Sequence, residues 1–157
     1  MNATSQSYVI FELAGAAYGI ASADVLHVDL LEHVTAVPNT SATVEGVVFS
    51  RGQVVPAMNL RVRFGLPRRE PDASTRLIFV RSGDRTVALI VDAAREFRSL
   101  PASAIRPVEE TLQGVAGNYL RGVAQVGDRM VLLIDVVSVI ALDPLPATAE
   151  IAAVPAS

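Results

Sequence analysis

Cysteine, tryptophan and lysine are all missing from this chain of 157 residues. Without cysteine there is no disulfide frame, no thiolate nucleophile and no thiolate metal site. With no lysine, all 13 basic residues are arginine, and the net charge is −3. An acidic chain with 5% aromatic residues lacks the basic face and stacking platforms that nucleic-acid binding requires. The two histidines, His27 and His33, would lie on one face of an extended strand about 20 Å apart, too far to share a metal ion. The longest apolar run, residues 130–142, is broken by Asp135 and is shorter than the ~20 residues that span a bilayer. The opening MNATSQS has neither the basic region nor the apolar core of a signal peptide, so a cytoplasmic location is expected.

Catalytic patterns are missing as well. Glu109 and Glu110 are adjacent in a Pro-flanked stretch, and neighbours on an extended chain point apart. Gly114-Val115-Ala116-Gly117 lacks the Lys and Ser/Thr that complete a phosphate loop, and no serine sits in a nucleophile elbow. No catalytic residue, metal or cofactor is expected, and function has to be sought in binding.

What the chain does contain is apolar residue, 51% against 18% charged, and a repeat. At an offset of 76, Gly46 and Val47 match Gly122 and Val123, the run 54–58 faces 130–134, and Asn59 faces Asp135. Each copy reads as a hairpin: a β-branched segment, a Gly-containing turn (Ser50-Arg51-Gly52 or Gly127-Asp128), and a second apolar run. Asn59 and Asp135 stand where N-caps would open short helices over 60–64 and 136–142. Upstream the echo continues at an offset of 68, with Phe11, Gly15 and Asp24 matching Phe79, Gly83 and Asp92; the last pair suggests a shared turn role. Asp84 and Asp128 are read as turn residues.

Each half supplies about five short strands and one helix, and small antiparallel barrels are the natural closure because closing a sheet removes its edges. A half of about 65 residues is marginal alone, so an apolar interface should join the two lobes. The expected fold is all-β: two five-stranded SH3-like barrels over a shared hydrophobic core, each with a short helix. Residues 1–7 read as a flexible N-terminus, 18–67 and 75–135 as the two subdomains with strands open to exchange between them, 68–74 as a polar linker, and 143–157 as a disordered tail. Arg61, Arg63, Arg68 and Arg69 read as the solvated face of the first helix and its loop.

At these residues the chain resembles the CheW-type chemotaxis coupling proteins. The family pattern runs F-x-L and Y-G-I, then V-x-E-(I/V), then G-V-x-N-L-R-G-x-V-(I/V)-P followed by a D-L helix start. Its counterparts here are Phe11, Leu13, Tyr18, Gly19 and Ile20, then Val25, His27 and Val28, then Gly46, Val47, Arg51, Gly52, Val54, Val55, Pro56, Asn59 and Leu60. The likeness spans residues 8–142. It implies an adaptor linking the cytoplasmic tips of methyl-accepting chemoreceptors to the regulatory domain of the histidine kinase CheA, at receptor arrays. Other CheW-like domains are implied as further partners, while nucleic acid and direct membrane insertion are not.

Two departures stand out: His27 replaces the family's acidic residue, and Phe49-Ser50 replaces Asn-Leu before Arg51. Arg51 is then either an exposed turn residue or the partner of another acid, Asp29 or Glu32 being nearest in sequence. Partner contacts are expected at Val25, His27, Gly46, Val48, Ser50, Arg51, Gly52 and Val54, remodelled for one receptor or pathway. Gly46 and Gly52 also admit a backbone reading. Two alternatives stay open: a CheW-like protein that binds receptor without coupling to kinase, and a β-barrel sensor of a small ligand, which an inter-lobe cavity lined by polar groups would favour.

Overall fold

The computed structural model describes residues 5–38, 40–108 and 116–141; the expected tail lies outside them. In chain order the elements are β1 (Ser5–Leu13), β2 (Ala16–Ala21), β3 (Val25–Leu30), β4 (Val44–Ser50), β5 (Gln53–Asn59), α1 (Leu60–Arg63), β6 (Arg76–Ser82), β7 (Arg85–Val91), β8 (Ala93–Pro101), β9 (Ile105–Arg106), β10 (Leu120–Val126), β11 (Arg129–Ile134) and α2 (Val136–Ile140). Both helices are single turns, and none among the described residues is long and apolar enough to cross a membrane.

The chain is all-β, built as two SH3-like barrel sheets. One has the order β8-β1-β2-β11-β10 with the two-residue β9 beyond it, and the other β3-β6-β7-β5-β4. Neither is a contiguous half of the chain. The β1–β2 hairpin is completed by late strands through a parallel β2–β11 pairing, and β6–β7 sits between early strands through a parallel β5–β7 pairing. Ser5, Gln6 and Ser7 are strand and not a loose N-terminus, since they find backbone partners in Pro101, Leu100 and Ser99.

Central strands are buried on both faces. Along β1, Val9, Phe11 and Leu13 enter a core shared by the two sheets, while Tyr8 and Ile10 enter their own barrel. Along β6, Ile78 and Val80 face the shared core, and Leu77 and Phe79 face inward. The barrel interiors are narrow, so small residues fill them: Ala17, Ala21 and Ala124 in one, Ala57 and Ala88 in the other. At about 25 cal/mol per Å² of apolar surface, the shared core is the dominant stabilising contact.

This burial fixes the register of the repeat. Leu133 pairs with Gly19 and Ala57 with Ala88. The offset of 76 therefore holds for β4–β5 against β10–β11, but the strands β1–β3 superpose on β6–β8 at 69, not 68. At 69, Phe11 meets Val80 and both face the shared core, whereas Phe79 faces its own barrel. A slip of one residue sends every side chain to the other face. The expected match of Asp24 with Asp92 fails with it.

The helix ends follow local chemistry. Asn59 Oδ1 accepts the Val62 amide at 3.3 Å, and α1 gives way to Gly65 at φ +79°. Asp135 holds the N-cap position of α2, but its side chain takes no backbone amide as expected; it accepts the Ser138 hydroxyl at 3.0 Å instead. The second helix ends at Ile140, short of the expected Leu142. There Arg63 intervenes: its Nε donates to Val139 O at 2.9 Å, a second guanidinium nitrogen donates to Ala141 O, and the group lies 5.0 Å from the Tyr119 ring centre. Arg63 is thus buried at 7% exposure and not on a solvated face.

Arg61 is not solvated either. It grips Asp92 with two bonds, Nε to Oδ1 at 2.9 Å and Nη2 to Oδ2 at 2.7 Å, both side chains being 13% exposed. Asp92 Oδ2 also accepts the Ala14 amide at 2.8 Å, tying the β1–β2 turn of one barrel to the end of β7 in the other. Burial pushes the Asp92 carboxyl up, but Arg61, the Ala14 amide and Arg69 outweigh it and hold it below the ordinary 3.8. The stability it contributes is therefore present above that value and lost as pH falls through the lower folded value. Asp92→Ala, which strands Arg61 in a nearly dry site, should cost about 2–4 kcal/mol in urea unfolding and flatten the acid limb of the stability curve.

Candidate functional site

The β4–β5 hairpin carries most of the sequence-derived site. Its strands pair from Val44 with Met58 to Ser50 with Gln53, with a bulge at Glu45. The turn, Arg51-Gly52, takes φ of +52° and +81°. Gly52 meets that need without strain, whereas Arg51 is held in a conformation that L-residues seldom adopt. Arg51 is exposed and makes no ion pair among the described residues; Asp29 lies instead 3.4 Å from His27 Nε2. The turn-residue reading of Arg51 therefore holds over the acid-paired one.

Although β3 and β4 are the outer strands of their sheet, the sheet curls until they meet. Thr35 and Val47 exchange backbone bonds of 2.9 and 2.8 Å, and the Ser50 hydroxyl comes 3.4 Å from His27 Nε2. The His27 ring stacks on Phe79 with centroids 4.2 Å apart. Burial there lowers the imidazole below its ordinary 6.5; the nearby charge of Arg51 lowers it further, and Asp29 opposes both. So the tip gathers His27, Ser50, Arg51, Gly52 and Val54.

The other three residues face inward. Val48 is 5% exposed and belongs to the barrel core. Val25, half-buried, packs against the shared core. Gly46 sits at φ +154°, and a methyl group there would lie 2.1 Å from Thr35 O; its task is close backbone approach.

Sequence reasoning missed Phe49. It is 76% exposed and lies across from Val54 at 65%, an apolar pair beside Arg51 on the solvent face of the hairpin. The available signal was the aromatic residue in place of the family's Asn.

A second feature is a cleft of about 500 Å³ lined by Glu45, Asn59, Arg61, Arg68, Arg69 and Asp92, with Leu31, Val34 and Ile90 on its apolar side. The stretch 68–74 is therefore more than a linker, since it walls this cleft. Its arginines are all matched, Arg61 with Asp92, Arg68 with Glu45, and Arg69 with Asp72 and with Asp92 at 3.3 Å, while Glu70, also in the lining, makes no ion pair among the described residues. Asn59 Nδ2 donates to Glu45 at 2.7 Å.

Comparison with known proteins decides the family. Residues 7–143 match the model of the CheW-like domain. This chain belongs to the CheW-like domain family. It is 35% identical over 131 residues to the chemotaxis protein CheW of Klebsiella aerogenes, covering 83% of this chain and 79% of that one. To CheW of Bacillus subtilis the identity is 28% over 132 residues, with 84% and 85% covered. The crystal structure of the scaffolding protein TtCheW from Thermoanaerobacter tengcongensis superposes with a TM-score of 0.83 at 27% identity, covering 90% of this chain and 97% of that one. The two sheets and the family together make the chain an adaptor in chemotaxis signalling.

Two outcomes test this geometry. Gly46→Ala should cost about 2–4 kcal/mol by urea unfolding because it collides with backbone, whereas Gly52→Ala, facing open space at positive φ, should cost only about 1 kcal/mol. Because the folded state favours neutral His27, stability is full above the ordinary 6.5 and falls as pH drops through that value towards the lower folded one. Melting temperatures across that window should show the decline in the parent and a shallower one in His27→Gln.

Proposed function

We propose that the chain is a non-catalytic adaptor joining the cytoplasmic tips of methyl-accepting chemoreceptors to the regulatory domain of a CheA-type histidine kinase, in the cytoplasm at receptor arrays. The observation that carries this reading is the hairpin tip, where Phe49 and Val54 stand exposed beside Arg51 on a rigid strand pair. An apolar stripe with one cation suits the face of an amphipathic helix, which is docked by a few anchors. The tip, His27 through Val54, is where receptor and kinase contacts are placed, with other CheW-like domains as further partners. Val25, Gly46 and Val48 support that surface from beneath.

The ligand-sensor alternative is less favoured because every arginine of the large cleft is already paired, and a small molecule seeking those cations would have to break pairs already made. Reading the chain as a receptor-only binder differs from the adaptor in one measurable respect, affinity for the kinase domain.

The double variant Phe49→Ser/Val54→Ser should weaken binding to a receptor-tip fragment at least tenfold, about 1.4 kcal/mol, by isothermal titration calorimetry. Its melting temperature should stay at the parent value because both side chains are exposed. Undiminished binding would remove the tip from the interface. Parent protein that binds the receptor fragment but not the kinase regulatory domain would establish the receptor-only reading instead.

A further inference from the structure

Besides the hairpin tip and the large cleft, each barrel has an open mouth, and the two mouths are related by the repeat. In one barrel the mouth, about 270 Å³, is lined by Ile10, Ala17, Val126 and Val131 and by the charged groups Glu96, Arg98, Asp128 and Arg129. Its cations are matched from within. Arg98 Nε donates to Glu96 Oε2 at 2.9 Å, and Arg129 lies 3.9 Å from Glu12, which Arg95 also grips at 2.7 Å.

The other mouth, about 350 Å³, opens between β3 and β4, with Val48, Leu77 and Phe79 as floor and Asp29, Glu32, His33 and Ser50 among its rim. At the offset of 69, His27 stands where Glu96 does and Asp29 where Arg98 does: Ile10 pairs with Glu96 and Tyr8 with Arg98, while Phe79 pairs with His27 and Leu77 with Asp29. An acid thus replaces the arginine at that position, and neither arginine of the first mouth, Arg98 or Arg129, has a counterpart in the second. No arginine lines it. Arg51, the nearby cation, stands past Ser50 at the turn and pairs with neither carboxylate among the described residues. The Asp29 side chain is 52% exposed, and among the described residues its titratable neighbour is His27 at 3.4 Å, an imidazole whose protonation is disfavoured by burial and by Arg51.

We propose that this second mouth is a socket for an arginine or lysine side chain supplied by a partner protein. Three observations fit one occupant. The floor of Val48, Leu77 and Phe79 suits the apolar stem of such a side chain, as long cations bury their methylenes and keep the charged head at a polar rim. The rim offers two carboxylates and no cation, so charge complementarity excludes an acidic group and gives a neutral one little. The companion barrel shows an arginine at the position that Asp29 occupies here. The socket borders the receptor-facing tip and shares Phe49 and Ser50 with it, but its acidic rim does not depend on that assignment; an adaptor with an unoccupied socket would still bind through Phe49 and Val54.

The probe is the capped tripeptide acetyl-Gly-Arg-Gly-amide, titrated into ¹⁵N-labelled full-length protein and followed by backbone amide shifts. Two comparison peptides carry citrulline and glutamate in place of arginine. The expected result is saturable shifts confined to residues 29–33 and 48–50 with the arginine peptide, and affinities at least tenfold weaker for both comparison peptides. Asp29→Asn/Glu32→Gln should weaken the arginine peptide at least tenfold with an unchanged melting temperature. Asp29→Arg, which places the companion barrel's arginine in the mouth, should abolish binding. Equal shifts from the citrulline peptide, binding that survives either variant, shifts clustered elsewhere, or no saturable shifts at all would each overturn the proposal.

Discussion

Two sheets share one core, and most features of the molecule descend from that constraint. A strand covered by solvent on one side can alternate apolar and polar residues, but β1, β2, β6, β7 and β11 are covered on both sides. Their central residues must therefore be apolar on both faces, and several of those that point into a narrow barrel are small. Gly19 shows how tight that interior is: a methyl group there would come within 2.9 Å of Leu133. The high apolar content reflects this double covering and not a surplus of sticky surface. What remains exposed and large is short enough to read individually, with Phe49, Phe97 and Val54 the most open.

Charges work around the rim of the core, where the cations are all arginine and two of them tie elements together. Arg63 reaches from α1 to close the carbonyl end of α2, and Arg61 joins α1 to Asp92, which in turn holds the opposite barrel's turn. Planar guanidinium suits both tasks, since each requires two parallel bonds in fixed directions. The two helices are single turns that could not persist alone; their position is set by these bonds and by apolar residues such as Leu60, Phe64, Val136 and Ile140 in the shared core. The lock is unsymmetrical. At the offset of 76, Val137 takes the place of Arg61, and it is 61% exposed.

The fold class, the hairpins and both helix starts could be read from the chain because turns and caps are local chemistry. The repeat was legible too, but its register in the upstream strands was not, because Phe11 and Phe79 make an attractive match that faces opposite ways. Two-sided burial removes the polar alternation that would have exposed the error. Arg61 and Arg63 were misjudged for a related reason, since their partners, Asp92 and the carbonyls of Val139 and Ala141, are distant in sequence. At the site, the tip of the hairpin followed from the motif, but Gly46 and Val48 could not be told from contact residues until Thr35 was placed against the one and the barrel core around the other.

The exchange of strands between halves also governs when the molecule can form. The barrel built on β6 and β7 draws β3, β4 and β5 from earlier in the chain, and the barrel built on β1 and β2 waits for β10 and β11 at the far end. Each parallel seam, β2 with β11 and β5 with β7, joins segments that a long stretch of chain separates. Such pairings lose loop entropy before they gain contacts, which makes for slow folding. During synthesis the first hairpin must remain unpaired on one edge until the last strands emerge from the ribosome. Neither half made alone would contain a complete barrel, so the two lobes are one cooperative unit with a single late commitment step.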